Sequence, residues 1–189
     1  NVVWFKRDLR AADHRPLTQA AMAGTGPVLP LYIVEPDLWA QPDASARQWE
    51  FAAESLGELQ VVLAGLGQPL CVVVGEAVAT LDRLHRLHGI AALWSHEETG
   101  NGWTYARDLA VKAWARAAAV PWHEARQFGV IRRIRSRNGW AKAWDRDMAE
   151  PITLPPVILP PLAGDWPTHT PTSAELGLAP DPCPHRQRG

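Results

Sequence analysis

Short apolar runs alternate along the chain with longer segments that have helical spacing. Five runs are short and bounded by Gly, Pro or charged residues, which is typical of buried strands. They predict strands at 2–5, 28–34, 69–74, 91–95 and 121–125, of which the last is the weakest. Strands that alternate with helices predict an α/β fold built on a parallel sheet.

Four helices are predicted, at 45–67, 76–88, 102–119 and 138–149. Ser45 and Gln48 form a capping box at the start of the first helix. Steps of three and four residues then give it one apolar stripe, formed by Trp49, Ala52, Leu56, Leu59, Leu63 and Leu66. Asp108 and Lys112 have the i,i+4 spacing of a helical ion pair. The helix that contains them is expected to bury Ala106, Leu109 or Ala110, Ala113 and Ala117.

Right-handed crossovers between five strands favour a doubly wound, Rossmann-like parallel sheet, for which we predict the order 3-2-1-4-5. In such sheets ligands bind outside the carboxyl ends of the strands, where the order reverses. That point lies between strands one and four. The loops that border it, 6–16 and 96–103, are rich in polar and aromatic residues.

The chain changes character at residue 151. Nine prolines after Pro151 forbid a sustained helix or a central strand. We therefore predict an α/β domain over 1–150 and a proline-rich connector over 151–189, without a sixth strand or a long helix.

Composition adds few constraints. The net charge of -1 provides no global attraction to nucleic acid or to a membrane surface. Two cysteines do not make a disulfide framework, so a reducing, cytoplasmic location is expected. No apolar run approaches the roughly 20 residues that a membrane-spanning helix needs. Oligomeric state is left open.

Arginines are concentrated near the end of the predicted domain, at Arg126, Arg132, Arg133, Arg135 and Arg137. A solvated or interdomain face is the first interpretation, and contact with phosphate or nucleic acid is the second. On the first interpretation, Arg132→Ala and Arg133→Ala change the stability by about 0.5 kcal/mol or less each.

The loop after the first strand is dense in charge and poor in glycine. Its residues 4–14 read WFKRDLRAADH. A phosphate cradle needs glycines that let backbone amides approach the anion, so this loop argues against a dinucleotide site or a P-loop. On physical grounds an ion-pair network that fixes the turn has equal weight with a ligand site.

The same loop resembles the opening motif of the photolyase/cryptochrome family. Six positions match, namely Trp4, Phe5, Asp8, Leu9, Arg10 and Asp13, whereas Lys6 replaces the family's Arg and His14 its Asn. Residues 29–36 and 74–76 also resemble the family, and the resemblance extends over about 2–150. It implies an antenna-pigment domain of a light-driven DNA repair flavoprotein, a deoxyribodipyrimidine photolyase, or of a photolyase-like cryptochrome. On this resemblance, FAD and damaged DNA bind a further helical domain absent from this chain. No residue of this chain is therefore assigned to catalysis.

The loop after the fourth strand departs from folate-binding relatives, which carry an Asn-Glu pair where this chain has Trp103 and Thr104. A deazaflavin or a flavin is therefore favoured over folate. The expected pigment contacts are the aromatic residues Phe5, Trp103 and Tyr105 and the polar residues Arg7, Asp8, Arg10, Glu35, His96 and Glu98.

No metal site is predicted, because the consecutive residues His96, Glu97 and Glu98 cannot converge on one ion. Two other classes of protein stay open. One is a stand-alone nucleotide-binding domain of the universal-stress or electron-transfer-flavoprotein type, although this sequence lacks the Gly-rich loop expected there. The other is a blue-light signalling module without repair activity.

Overall fold

A computed structural model describes residues 1–127, 129–132, 134–183 and 189. The strands are β1 (Val2–Phe5), β2 (Leu29–Val34), β3 (Cys71–Val74), β4 (Leu93–His96) and β5 (Trp122–Ala125). The helices are α1 (Arg15–Met22), α2 (Pro36–Trp39), α3 (Ala46–Gly65), α4 (Ala77–His88), α5 (Gly102–Ala117) and α6 (Trp140–Met148). Among the described residues, no helix has both the length and the apolar character required to cross a membrane.

The sheet has the order β3-β2-β1-β4-β5, and every neighbouring pair of strands is parallel. The predicted α/β class, strand number and strand order are therefore confirmed. All residues of the central strand β1 are buried. Val3 and Phe5 pack on one face of the sheet with α1 and α3, whereas Val2 and Trp4 pack on the other with α4 and α5.

Helix α3 forms as its apolar spacing predicts. The Ser45 hydroxyl accepts a hydrogen bond from the Gln48 backbone N–H and caps the helix. Trp49, Leu56 and Leu63 are fully buried. Helices α1 and α2 were not predicted, since both are short and begin within proline-containing loops. The His14 side chain caps α1 by accepting the Leu17 N–H.

The buried face of α5 differs from the prediction. Every residue of the expected apolar stripe is exposed, namely Ala106, Leu109, Ala110, Ala113 and Ala117. The buried residues are instead Thr104, Arg107, Asp108, Val111 and Ala115. The predicted surface pairing of Asp108 with Lys112 is replaced by contacts of Asp108 with Lys6, Arg107 and Arg132. The prediction from spacing was wrong here because Arg107 and Asp108 are buried by pairing with charged residues from distant segments.

The described part of the proline-rich segment, 151–183 and 189, contains no helix or strand, yet it is fastened to the α/β layers. Leu159 is fully buried in the core. The Leu159 N–H donates to the Leu66 carbonyl at 2.7 Å, and the Val72 N–H donates to the Pro167 carbonyl at 2.7 Å. The core therefore extends past residue 150, and the division into domain and connector stays a prediction.

Candidate functional site

A cavity of about 910 Å³ opens at the carboxyl ends of β1 and β2. Its apolar walls include the aromatic residues Trp4, Phe5, Tyr32, Trp39 and Phe51. Arg7, Arg10 and Arg47 also line it, and all three side chains are exposed to a large extent. A volume of this size with aromatic walls and a few polar groups is typical of a site for an organic ligand.

A smaller cavity of about 310 Å³ lies on the side of β4. It shares Lys6, Arg7, Arg10 and Glu98 with the larger cavity. Asp8, His96, Glu97, Thr99 and Gln127 complete its lining. The two cavities thus adjoin along the loop that follows β1.

The residues predicted as pigment contacts do not all line one cavity. Phe5, Arg7, Arg10, Glu35 and Glu98 line the larger cavity. Asp8 and His96 line only the smaller one, and neither cavity is lined by Trp103 or Tyr105. Tyr105 is half-exposed on α5, and the Trp103 ring lies 5.8 Å from the Arg107 guanidinium. The roles of these residues toward a ligand stay predictions.

Sequence reasoning missed the wall that α3 contributes. Arg47, Gln48, Phe51, Ala52 and Ser55 all line the larger cavity. One signal was present in the sequence, because Phe51 interrupts the polar face of a helix whose apolar stripe is already complete without it. An exposed aromatic residue on such a face indicates a contact surface.

A buried network of ion pairs forms the floor between the two cavities. The Arg107 guanidinium contacts the carboxylates of Glu35 (2.7 Å), Asp108 (3.0 Å) and Glu98. Lys6 lies 3.3 Å from Asp108. All five side chains are buried. Because each charge has an opposite partner, the network holds the loops after β1, β2 and β4 in fixed positions.

Trp4 lies close to two cations of this network. Its ring centroid is 4.6 Å from the Lys6 Nζ and 4.8 Å from the Arg107 guanidinium carbon. Cations over an indole face are attracted by its negative quadrupole. Trp4 therefore helps to fix the charged floor as well as filling the core.

Burial shifts the protonation of two members of the network. Burial raises the pKa of Glu35 to about 7, against the opposing effect of the Arg107 charge. Burial also lowers the pKa of Lys6, and the Asp108 carboxylate opposes this change. Glu35 is affected because Arg107 is shared among three carboxylates and cannot fully compensate each of them.

Asp8 is buried between two histidines. Its Oδ2 atom lies 2.5 Å from His96 Nδ1 and 2.8 Å from His14 Nε2, and its Oδ1 atom accepts the Lys6 backbone N–H at 3.0 Å. Burial alone would raise the pKa of Asp8, but the two histidines outweigh it and hold that pKa well below its usual value. Burial lowers the pKa of His14. Asp8 is thus a buried carboxylate that makes a hydrogen bond with His96 and a close contact with His14.

Asp8, His14 and His96 are residue types that bind metals, and they converge in space. Nevertheless, His14 Nδ1 accepts the Leu17 N–H, so its Nε2 atom carries the proton and has no lone pair for an ion. A ligating histidine instead donates its second N–H to a neighbour. The arrangement therefore fits hydrogen bonding around Asp8 better than metal coordination.

Arg132 is not on a solvated face, which corrects the first interpretation of the basic run. Its side chain is 23% exposed and lies 2.8 Å from Glu124 and 2.9 Å from Asp108, and its Nε donates to the Glu98 carbonyl. It therefore closes the ion network from the side of β5. Arg135 and Arg137 are exposed, and Arg133 lies outside the described residues.

The structure is thus an α/β domain with a cavity at the carboxyl ends of its strands, beside the topological switch point of the sheet. A family model described as DNA photolyase matches residues 1–136. The chain belongs to the DNA photolyase family, which also includes the cryptochromes that it resembles.

Curated relatives carry both names. A deoxyribodipyrimidine photo-lyase of Salmonella typhimurium is 34% identical over 98 residues, which are 50% of this chain and 21% of that protein. Cryptochrome-2 of Gallus gallus is 32% identical over 120 residues, or 64% of this chain and 20% of that protein. The matches thus span about a fifth of these relatives' length.

Solved structures share the fold over nearly the whole chain. A class III photolyase from Agrobacterium tumefaciens matches with a TM-score of 0.72 at 24% identity. The matched region is 96% of this chain and 39% of the photolyase chain. An archaeal photolyase from Sulfolobus tokodaii, described with two FAD molecules and a novel light-harvesting cofactor, has a TM-score of 0.71 at 20% identity. The matched region is 88% of this chain and 39% of the archaeal chain. The similarity includes most of the proline-rich segment.

Proposed function

We propose that this α/β domain holds a light-harvesting pigment, a flavin or a deazaflavin, in the larger cavity. The observation that supports this proposal most directly is the cavity itself, which is about 910 Å³ in volume and opens at the carboxyl ends of β1 and β2, beside the switch point between β1 and β4. Trp39 and Phe51 offer exposed faces and edges on which a fused ring system packs, and the buried rings of Phe5 and Tyr32 lie beneath them in the wall.

Two observations support a flavin-type ring rather than folate. The Sulfolobus tokodaii photolyase, whose fold this chain shares, is described with two FAD molecules. In addition, Trp103 and Thr104 occupy the positions at which folate-binding relatives carry an Asn-Glu pair, and neither residue lines the cavity.

The proposal places photochemistry outside this domain. FAD and damaged DNA belong to a helical domain of the kind that completes the relatives, so this chain supplies pigment binding to a photolyase or a photolyase-like cryptochrome. Accordingly, the isolated domain is expected not to repair cyclobutane dimers in light. The net charge of -1 agrees with a domain that does not itself bind DNA. Signalling without repair is the alternative within the same family.

Titration of the purified chain with riboflavin, FMN, a deazaflavin and a folate, followed by pigment fluorescence anisotropy, tests the proposal. Ala52→Trp places an indole in the cavity and is expected to weaken flavin binding at least about tenfold by steric exclusion. Ala113→Trp, on the exposed face of α5, is the matched control and should leave binding unchanged. Binding that Ala52→Trp does not disturb would place the pigment elsewhere.

A further inference from the structure

One wall of the larger cavity carries two buried polar atoms that have no hydrogen-bond partner among the described residues. They are Glu35 Oε1 and Trp39 Nε1. Both residues line the cavity. Glu35 is the N-cap of α2 and Trp39 is its last residue, and the Trp39 backbone N–H donates to the Glu35 carbonyl. The two residues are therefore joined by one turn of backbone hydrogen bonding.

The two oxygens of Glu35 have different surroundings. Oε2 accepts a hydrogen bond from Arg107 Nη1 at 2.7 Å, whereas Oε1 accepts none from the described residues. The Glu35 side chain is only 4% exposed, so water does not compensate Oε1. Buried polar groups usually have a partner, and an unpaired carboxylate oxygen beside a cavity is a ready acceptor for a ligand's N–H group.

Trp39 supplies the complementary group. Its indole lies edge-on to the Trp49 ring, with 4.8 Å between the ring centroids, and is partly exposed. An indole nitrogen can only donate a hydrogen bond. The wall thus holds one buried donor and one buried acceptor, on two residues that line the cavity.

We propose that Glu35 and Trp39 orient the bound ring by recognising an edge on which an N–H group adjoins a carbonyl group. The ring N–H donates to Glu35 Oε1, and the carbonyl oxygen accepts from Trp39 Nε1. The pyrimidinedione edge of a flavin or deazaflavin has this pattern. The inference rests on the proposed pigment site and adds the residues that determine its specificity.

The charge of Glu35 agrees with this role. Arg107 divides its attraction among Glu35, Glu98 and Asp108, so Glu35 keeps a capacity for one more hydrogen bond. Above the raised pKa of Glu35, about 7, the carboxylate is ionised and acts only as an acceptor. Binding experiments are therefore best performed in mildly alkaline buffer.

The test compares riboflavin with 3-methylriboflavin, in which a methyl group replaces the proton of the ring N–H. The wild-type chain is expected to bind riboflavin at least about tenfold more tightly, because a site built to accept a hydrogen bond rejects the analogue that lacks it. This measurement needs no variant and is therefore independent of any folding defect. Equal binding of the two flavins would overturn the proposal while leaving the pigment site intact.

Variants assign the effect to the two residues. Glu35→Gln keeps the size of the side chain, but the amide oxygen is retained by Arg107 and its NH₂ group faces the ring. The preference for riboflavin should then fall to about twofold or less. Trp39→Phe should weaken both flavins by a similar factor, since both keep the carbonyl. Trp144→Phe, on α6, is the control and should change neither affinity.

The remaining outcomes are also decisive. An undiminished preference in Glu35→Gln, with far-UV circular dichroism like that of the wild type, would overturn the role of Glu35. If the wild type binds neither flavin but binds folate, the pigment assignment fails first and this inference fails with it. Loss of riboflavin binding in Trp144→Phe would show that the variants act through the fold instead.

Discussion

Arg107 is the residue whose removal should reveal how far the fold depends on the buried ion network. Its side chain is 5% exposed, contacts three carboxylates and lies over Trp4. Arg107→Met preserves much of the length and apolar stem but leaves Glu35, Glu98 and Asp108 with less compensation. Removing one partner of a buried ion pair typically costs about 3–5 kcal/mol, and we expect a loss in this range.

Urea unfolding followed by tryptophan fluorescence measures this loss. Arg116→Met lies on the same helix at an exposed position and controls for the change of residue type. The deficit of Arg107→Met should shrink as the pH falls, because protonation of the unpaired carboxylates removes the uncompensated charge. A loss below about 1 kcal/mol at neutral pH would refute the reasoning, since the carboxylates would then be compensated by other groups.

Three further outcomes follow from the buried contacts. Arg132→Ala should cost about 1–3 kcal/mol because it removes the cation paired with Glu124 and one of the three cations that contact Asp108, whereas Arg135→Ala should change the stability by about 0.5 kcal/mol or less. Equal losses in urea unfolding would contradict the network. Leu159→Ala should lower the free energy of unfolding by about 2–5 kcal/mol, whereas Val157→Ala, at an exposed position, should lower it by about 0.5 kcal/mol or less. A small loss in both variants would mean that the proline-rich segment detaches from the core. The pKa of Glu35 is raised in the folded state to about 7, so its protonated form stabilises the fold at low pH, and this contribution is lost as the pH rises through about 7. The stability of the wild type relative to Glu35→Gln should therefore fall by about 1–3 kcal/mol from about pH 5 to about pH 8. Parallel stability profiles of the two proteins would exclude the shift.

The layout of the sheet could be predicted from the sequence because its strands are apolar runs buried on both faces. The opening motif of β1 and the regular stripe of α3 each carry a local signal, and both signals agree with the fold. Helix α1 gave a weaker signal, since its first residues belong to a charged loop and its cap is a histidine rather than a Ser or Asp.

The buried face of α5 could not be predicted in this way. Arg107 and Asp108 are adjacent charged residues, which by themselves indicate a solvated face. They are buried because Lys6, Glu35 and Arg132 come from other segments, and no spacing rule within one helix contains that information. For the same reason, the sequence alone predicted Arg132 to lie on the surface.

The candidate site was predicted in its general place but not in its walls. The rule for doubly wound sheets gives the carboxyl ends of the strands, and both cavities lie there. The rule says nothing of which neighbouring helix closes the space. The wall formed by Arg47, Phe51 and Ser55 depends on the position of α3 over β1 and β2, which is a property of the packed molecule.

The contact between the proline-rich segment and β3 also has a consequence for solubility. β3 is an outer strand, and an outer strand with open N–H and carbonyl groups can pair with another molecule and begin aggregation. The Pro167 carbonyl occupies the Val72 N–H on that edge. A proline has no N–H to donate in turn, so Pro167 occupies this donor without adding an open N–H to the edge. The part of the chain with the least regular structure thereby ends the sheet on this side.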